Sequence, residues 1–436
     1  MSTLALLGFA MIAVFMYLIM SKRMSAMIAL MIIPVLFAFA AVGFDPKLGK
    51  MMWDGVKQVA PTGIMICFAI LYFGVMIDAG LFDPLINAIL RAVKGDPLKV
   101  SVGTALLAMI VSLDGDGSTT YMVTCSALLA VHRRVGLNPV ILPALAVMMN
   151  SVMNIIPWGG PTARVMAALK LEAGDVFVPL IPGMVLGVMW VLFMAYRWGL
   201  KERARLGVLT VGNNEPVANV TVSEDPDAEK LKRPQFFWVN LVLTILIMAG
   251  LMLEVLPLGI LFMLGTGLAL IINYHSLKEQ NARIIANGTN ATPVVAMVFA
   301  AGIFMGIMSG TKMVDAMAQT LINAIPPALG PHMAFISALV SLPGTFFLTN
   351  DAYYFGVLPV LTKAAATYGI GAAEMGRAAL IGQGAHLLSP LVPSTYLLVG
   401  LNKIEFGDLQ KFALLPAIGI SITWLITAVA LGYIHL

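Results

Sequence analysis

Three carboxylates stand where their neighbours are apolar. Asp114 and Asp116 occur in SLDGDGSTTYMVT at 112–124, inside a run from Leu98 to Val131, and Asp351 occurs in LTNDAYYFGVLPV at 348–360. An ionised side chain at membrane depth costs on the order of 3 kcal/mol unless it is compensated. A single Asp there reads equally well as a helix cap. Two within three residues, with a partner in the other half of the chain, point to chemistry: they bind a cation through hard oxygens, or they titrate.

Further candidates sit at interruptions of apolar segments. Asn154-Ile-Ile-Pro-Trp-Gly159-Gly160-Pro-Thr162-Ala-Arg164 breaks one segment, and His386-Leu-Leu-Ser-Pro-Leu-Val-Pro-Ser394-Thr395 breaks another. Ser118, Thr119 and Thr120 are placed to cap a helix start, and Pro161 and Pro393 suit a first helical position. Helix N-termini offer free N–H donors and partial positive charge, so converging breaks favour an anion. Arg164 would pair with such an anion or with Asp116, or extend to the outer interface. His386 is a donor, a proton carrier or a satisfied interior histidine. Cys67 and Cys125 form no disulfide or metal-ligand pattern, and no P-loop is present.

The elements that must position these residues follow from composition. Of 436 residues, 60% are hydrophobic and 11% charged, and mean hydropathy is +0.93. An all-α integral membrane protein is the reading, with the lipid bilayer as its surroundings. The net charge of +4 comes from basic residues bordering apolar spans, so nucleic acid is not an expected partner. The stretch Leu4 to Met20 lacks a basic n-region and reads as a retained helix. Spans are expected near 4–20, 24–43, 61–80, 138–168 and 176–197, then 236–253, 256–274, 292–310, 373–400 and 411–433. Segments 98–133 and 333–366 have apolar arms of roughly 15 residues, or about 22 Å, around polar tips. That is short of a core of about 30 Å, as in a re-entrant hairpin.

The two halves resemble each other. Leu85-Ile-Asn-Ala-Ile89 recurs as Leu321-Ile-Asn-Ala-Ile325, and Pro161-Thr162 as Pro393-Ser394. Five spans and one hairpin per half invert the second half, so 1–197 and 236–436 read as two inverted repeats joined by a 198–235 linker. Most basic residues, including Lys22, Arg23, Lys94, Arg133 and Arg134, fall on the linker side. That places the linker in the cytoplasm and both termini outside, with the 44–60 loop (Lys47, Lys50, Lys57) as the exception. The sequons at Asn219, Asn287 and Asn290 then lie on the cytoplasmic side and are discounted.

Four stretches carry a resemblance: SLDGDGSTTYMVT, NIIPWGGPTAR at 154–164, LTNDAYYFGVLPV and AHLLSPLVPSTYLLVGL at 385–401. Through them the chain resembles, over nearly its whole length, the bacterial citrate–metal:proton symporter family (CitMHS) of the ion transporter superfamily. The resemblance implies proton-coupled uptake of citrate with a divalent cation, Mg2+ or Ca2+, across the inner membrane. No tightly bound cofactor is implied, and the cation is cargo. It also implies a homodimer whose scaffold domains meet while transport domains move as elevators. The related dicarboxylate–sodium branch carries Ser-Asn-Thr at both tips; the acidic tips here favour protons or a metal instead. In this reading Ser118, Thr119, Asn154, Gly159, Gly160, Thr162, Arg164, Asn350, His386, Ser394 and Thr395 contact the substrate. Asp114, Asp116 and Asp351 bind metal or coupling protons. Rival readings are another di- or tricarboxylate or gluconate carrier, a sodium/proton antiporter of the same architecture, a channel, and an intramembrane aspartyl protease. The last wants Gly-x-Gly-Asp where 113–116 are Leu-Asp-Gly-Asp.

Overall fold

A computed structural model describes all residues except Met1, Lys22, Lys94, 208–228 and Glu254. The middle of the linker and the Asn219 sequon therefore lie outside the described residues. Among those described there is no strand, and eighteen helices of eight or more residues succeed one another. In chain order the first nine are α1 (Thr3–Met20), α2 (Ala26–Val42), α3 (Lys47–Asp78), α4 (Asp83–Val93), α5 (Pro97–Val111), α6 (Gly117–Val135), α7 (Ile141–Met153), α8 (Gly160–Leu169) and α9 (Ile181–Leu206). The second nine are α10 (Phe237–Met252), α11 (Leu258–Asn273), α12 (Leu277–Gly310), α13 (Met313–Ala324), α14 (Met333–Phe347), α15 (Leu358–Ala365), α16 (Ala372–Leu380), α17 (Pro393–Asn402) and α18 (Phe406–Ala430). Among the described residues, six helical stretches, α3, α12 and α18 among them, are long and apolar enough to cross a bilayer.

Several helices of the two sets match in length, though the sixth ones, α6 and α15, differ at 19 and 8 residues. The long helices α3 and α12 have 32 and 34 residues, α8 and α17 have 10 each, and α9 and α18 have 26 and 25. Left-handed backbone recurs at matching points: Gly80 (φ 80°) and Lys312 (66°), Gly136 (77°) and Gly369 (81°), Lys170 (58°) and Lys403 (57°). Lysine at positive φ is uncommon. Its appearance at the ends of both α8 and α17 is a recurrence of backbone, not of hydropathy alone.

Several boundaries differ from the sequence expectation. Pro61 and Pro293 lie inside α3 and α12 rather than opening spans. A helix absorbs such a proline by kinking, as membrane helices tolerate when neighbours satisfy the freed carbonyl. Residues 47–60 are accordingly helix, not loop. The arm α6 has 19 residues because it continues through His132-Arg133-Arg134 to left-handed Gly136. Similarly, α9 runs past Arg197 to Leu206, stopped by Gly207.

Packing falls into two groups. In one, α3 crosses α12, with α2 and α11 against them and α1 reaching α13. Their backbones meet at glycines: a Cβ on Gly55 would lie 2.0 Å from the Gly302 carbonyl oxygen, and one on Gly306 2.2 Å from that of Met51. Gly302, Gly306 and Gly310 recur every fourth residue, the small-residue spacing that lets membrane helices touch. In the other group α9 packs on α5, α7 and α18, and α17 on α6. Between the groups, α8 rests against α3 and α12.

Candidate functional site

The first tip, between α5 and α6, is built by its own aspartates. Asp114 Oδ1 accepts from the Asp116 N–H at 2.9 Å, closing a turn in which Gly115 takes φ 80°. Asp116 is the N-cap of α6: its Oδ2 accepts from the Thr119 N–H at 2.8 Å and the Thr119 hydroxyl at 2.9 Å. The cap expected from Ser118, Thr119 or Thr120 is therefore supplied by Asp116. Asp has the short, preferred acceptor for that position, and Thr119 becomes its donor.

The breaks lie where the sequence interrupts its apolar segments. Asn154 is the C-cap of α7 and Gly159 the N-cap of α8. The Thr162 hydroxyl donates across the gap to the Ile155 carbonyl at 2.7 Å. In the second half Thr395 donates in the same sense to the Leu387 carbonyl. Both threonines are fully buried, so their hydroxyl protons tie the broken backbone together, satisfying carbonyls that hydrocarbon would leave unpaired.

Tips and breaks meet at four junctions that form a ring. Trp158 Nε1 of the first break donates to the Leu113 carbonyl of the first tip at 2.9 Å. Arg164, just past that break, donates through Nε to Asp351 Oδ1 of the second tip at 2.7 Å. At the second tip, Gln383 Nε2 of the second break reaches Asn350 Oδ1 at 2.9 Å. His386 Nδ1 bonds the Thr345 carbonyl, and the Ser389 hydroxyl donates to that of Phe346 at 2.6 Å. The ring closes where Ser394 faces the first tip, its Oγ 3.2 Å from where a Cβ on Gly117 would stand. Instead of Asp116 or the outer interface, the fold gives Arg164 a partner not considered from sequence, Asp351. His386 is turned to backbone and buried.

A cavity of 480 Å3 opens between this ring and the long helices. Asp114, Asp116, Ser118, Thr119, Gly160 and Arg164 line it. Asn154, Gly159, Thr162, Asn350, Asp351, His386, Ser394 and Thr395 do not line it. The opposite wall was missed from sequence: Asp78 near the end of α3, with Asn287, Thr289 and Asn290 in the polar first half of α12. Asp78 Oδ2 accepts from Asn287 Nδ2 at 3.0 Å and Arg283 Nη1 at 3.3 Å. The available signal was polarity at helical spacing, hidden because α12 was expected to start at 292 and Asn287 and Asn290 were weighed only as sequons. Three carboxylates, one guanidinium and the N-termini of α6 and α8 give the cavity groups for both signs of charge, which suits a cargo carrying both.

Comparison with known proteins agrees with this architecture. The citrate transporter family, CitMHS, matches residues 15–382. A Bacillus subtilis protein described as a citrate transporter is 57% identical over 431 residues, 99% of each chain. The Mg(2+)/citrate complex secondary transporter of that organism is 47% identical over 438 residues, again 99% of each. The crystal structure of the Alcanivorax borkumensis YdaH transporter superposes with a TM-score of 0.60 at 14% identity, covering 99% of each chain, a likeness of fold alone. On sequence over most of its length, then, this chain is a multi-pass membrane protein that belongs to the citrate transporter family.

Proposed function

We propose that the protein imports citrate as its complex with a divalent cation, Mg2+ or Ca2+, coupled to protons, across the bacterial inner (cytoplasmic) membrane. Membership of a transporter family removes the protease reading, and the mixed cavity carries the rest. Citrate near neutral pH bears about three negative charges, and one bound divalent cation reduces that to about one, lessening the desolvation penalty on entry. Arg164 and the helix N-termini receive cargo carboxylates, while Asp114 and Asp116 face the cation as oxygen ligands or through its waters. Among the described residues no three His, Cys, Asp or Glu side chains stand together as a metal site. The relative described as a Mg(2+)/citrate complex transporter supports the same cargo.

In this proposal the two sets of nine helices are inverted repeats. The group around α3 and α12 is the scaffold, which meets its copy in a homodimer, and the group holding tips and breaks travels as an elevator. Ser118, Thr119, Asn350 and Ser394 remain candidate cargo contacts, with Asn154, Gly159, Gly160, Thr162, His386 and Thr395 shaping the breaks. Labelled citrate uptake into proteoliposomes, with Mg2+, Ca2+ or neither and under imposed proton or sodium gradients, tests the reading. Uptake should require the cation and follow the proton gradient; uptake indifferent to both sinks it.

A further inference from the structure

The ion pair between Arg164 and Asp351 links the first break to the second tip through one bond only. Arg164 Nε donates to Asp351 Oδ1, while Nη1 donates to the Gly160 carbonyl at 2.9 Å. A guanidinium is a rigid fork of five N–H donors. Its Nε/Nη2 edge, able to grip a carboxylate by two parallel bonds, is thus held by a single one. Arg164 lines the cavity and Asp351 does not. Resting on the cargo reading above, we propose that this pair is a cargo-operated latch: a cargo carboxylate takes the Nε/Nη2 edge of Arg164, Asp351 is released, and the released carboxylate takes up the coupled proton.

The exchange is favourable because a bidentate carboxylate outcompetes a monodentate one. The Arg164 and Asp351 side chains are 16% and 10% exposed, so a released carboxylate is left desolvated without its cation. Binding H+ to give a neutral COOH removes that penalty. Charge balances: one carboxylate replaces another at the guanidinium, and one proton joins the protein. Among the described residues, no other fixed cation is placed to take over. Arg164 is the one charged residue of α8, α1 has none, and Lys363 of α15 pairs with Asp315 at 3.2 Å. On α12 the charges are confined to the first turns, where Arg283 pairs with Asp78. His386 and Tyr354 are titratable groups within electrostatic reach of the pair; the Thr345 carbonyl occupies His386 Nδ1, and the Tyr354 hydroxyl donates to the Ala379 carbonyl. Release also loosens the second tip, since Asp351 immediately precedes the π-helical turn Ala352–Val357. Loading, proton uptake and freedom of the tip are thereby one event.

Calorimetry of Mg2+–citrate binding to the purified full chain, at pH 6 and pH 8 and in buffers of different ionisation enthalpy, reads the latch directly. Wild type is expected to take up one proton per cargo and therefore to bind on the order of a hundredfold tighter at pH 6 than at pH 8. Asp351→Asn, which keeps the shape and removes the competing charge, should bind tightly at both pH values with no proton uptake; Arg164→Gln should lose binding. Zero proton uptake by wild type overturns the latch, as does an Asp351→Asn protein that binds more weakly at both pH values or keeps the wild-type pH dependence. Absence of wild-type Mg2+–citrate binding at either pH would instead remove the cargo reading and the latch with it.

Discussion

Asp116 has two duties that substitution separates. It caps α6 through Thr119 and presents a charge to the cavity. Asn caps about as well as Asp, whereas Ala removes a cap worth about 1 kcal/mol. Asp116→Asn should therefore keep the wild-type unfolding temperature while losing the dependence of uptake on the divalent cation. Asp116→Ala should lose both, measured by thermal unfolding beside proteoliposome uptake. Unaltered cation-dependent uptake by Asp116→Asn would confine Asp116 to the cap. The types and places of Asp114, Asp116 and Arg164 were legible in the sequence. That Arg164 would find Asp351, 187 residues away, was not, because the partner of a long side chain depends on which breaks the fold brings together.

Helices are fixed here at their ends and crossings. Asp96 caps α5, its Oδ1 accepting from the Leu98 N–H at 3.0 Å and from Arg203 Nε at 3.0 Å, which ties the foot of the first hairpin to α9. Hydrogen bonding to Arg203 holds the Asp96 carboxyl below the usual carboxylate range, against the opposing effect of burial. A lowered value in the fold means the contribution is complete above the unfolded value, about pH 4, and fades as pH falls through the lower folded one. Asp96→Ala should cost about 1–2 kcal/mol near neutrality from the lost cap and ion pair. In thermal unfolding the gap to wild type should close only below about pH 4; a gap that already shrinks between pH 7 and pH 5 would contradict the assignment. At the α3–α12 crossing, Gly306→Leu meets backbone rather than a movable side chain. It should cost upwards of about 3 kcal/mol and abolish a monodisperse elution peak. Gly267→Ala in α11, with nothing within 4 Å of the new Cβ, is the control and should be neutral or stabilising by up to about 1 kcal/mol.

Across the whole molecule, the distribution of basic residues makes a prediction about sidedness. With Cys67 and Cys125 replaced by Ser, single cysteines at Ser2 and Ser223 should react with a membrane-impermeant maleimide from opposite sides in oriented vesicles, Ser223→Cys only from the cytoplasmic face. Labelling of both from one side would refute the odd number of spans per half on which the inverted repeat depends. The recurrence of left-handed residues at 80 and 312, 136 and 369, and 170 and 403 favours the repeat independently of charge. Because the basic residues 47, 50 and 57 are helical in α3, the group that stood against the charge rule is no longer a simple loop.

The sequence alone determined that the chain lives in a bilayer, where its backbone breaks, and that acidic and hydroxyl side chains sit at those breaks. These are local properties, set by hydropathy, proline, glycine and capping types within a few residues. It could not settle which of those side chains the backbone itself would use: the hydroxyls of Thr162 and Thr395 serve carbonyls across their own breaks, and Asp116 serves α6. Nor could it show the far wall of the cavity, because Asp78 and Asn287 are 209 residues apart and meet only when α3 and α12 cross on glycine. Tertiary structure decided those matters for one physical reason: inside a membrane the backbone's polar groups must find partners within the protein, and the choice among partners is made by packing over long range.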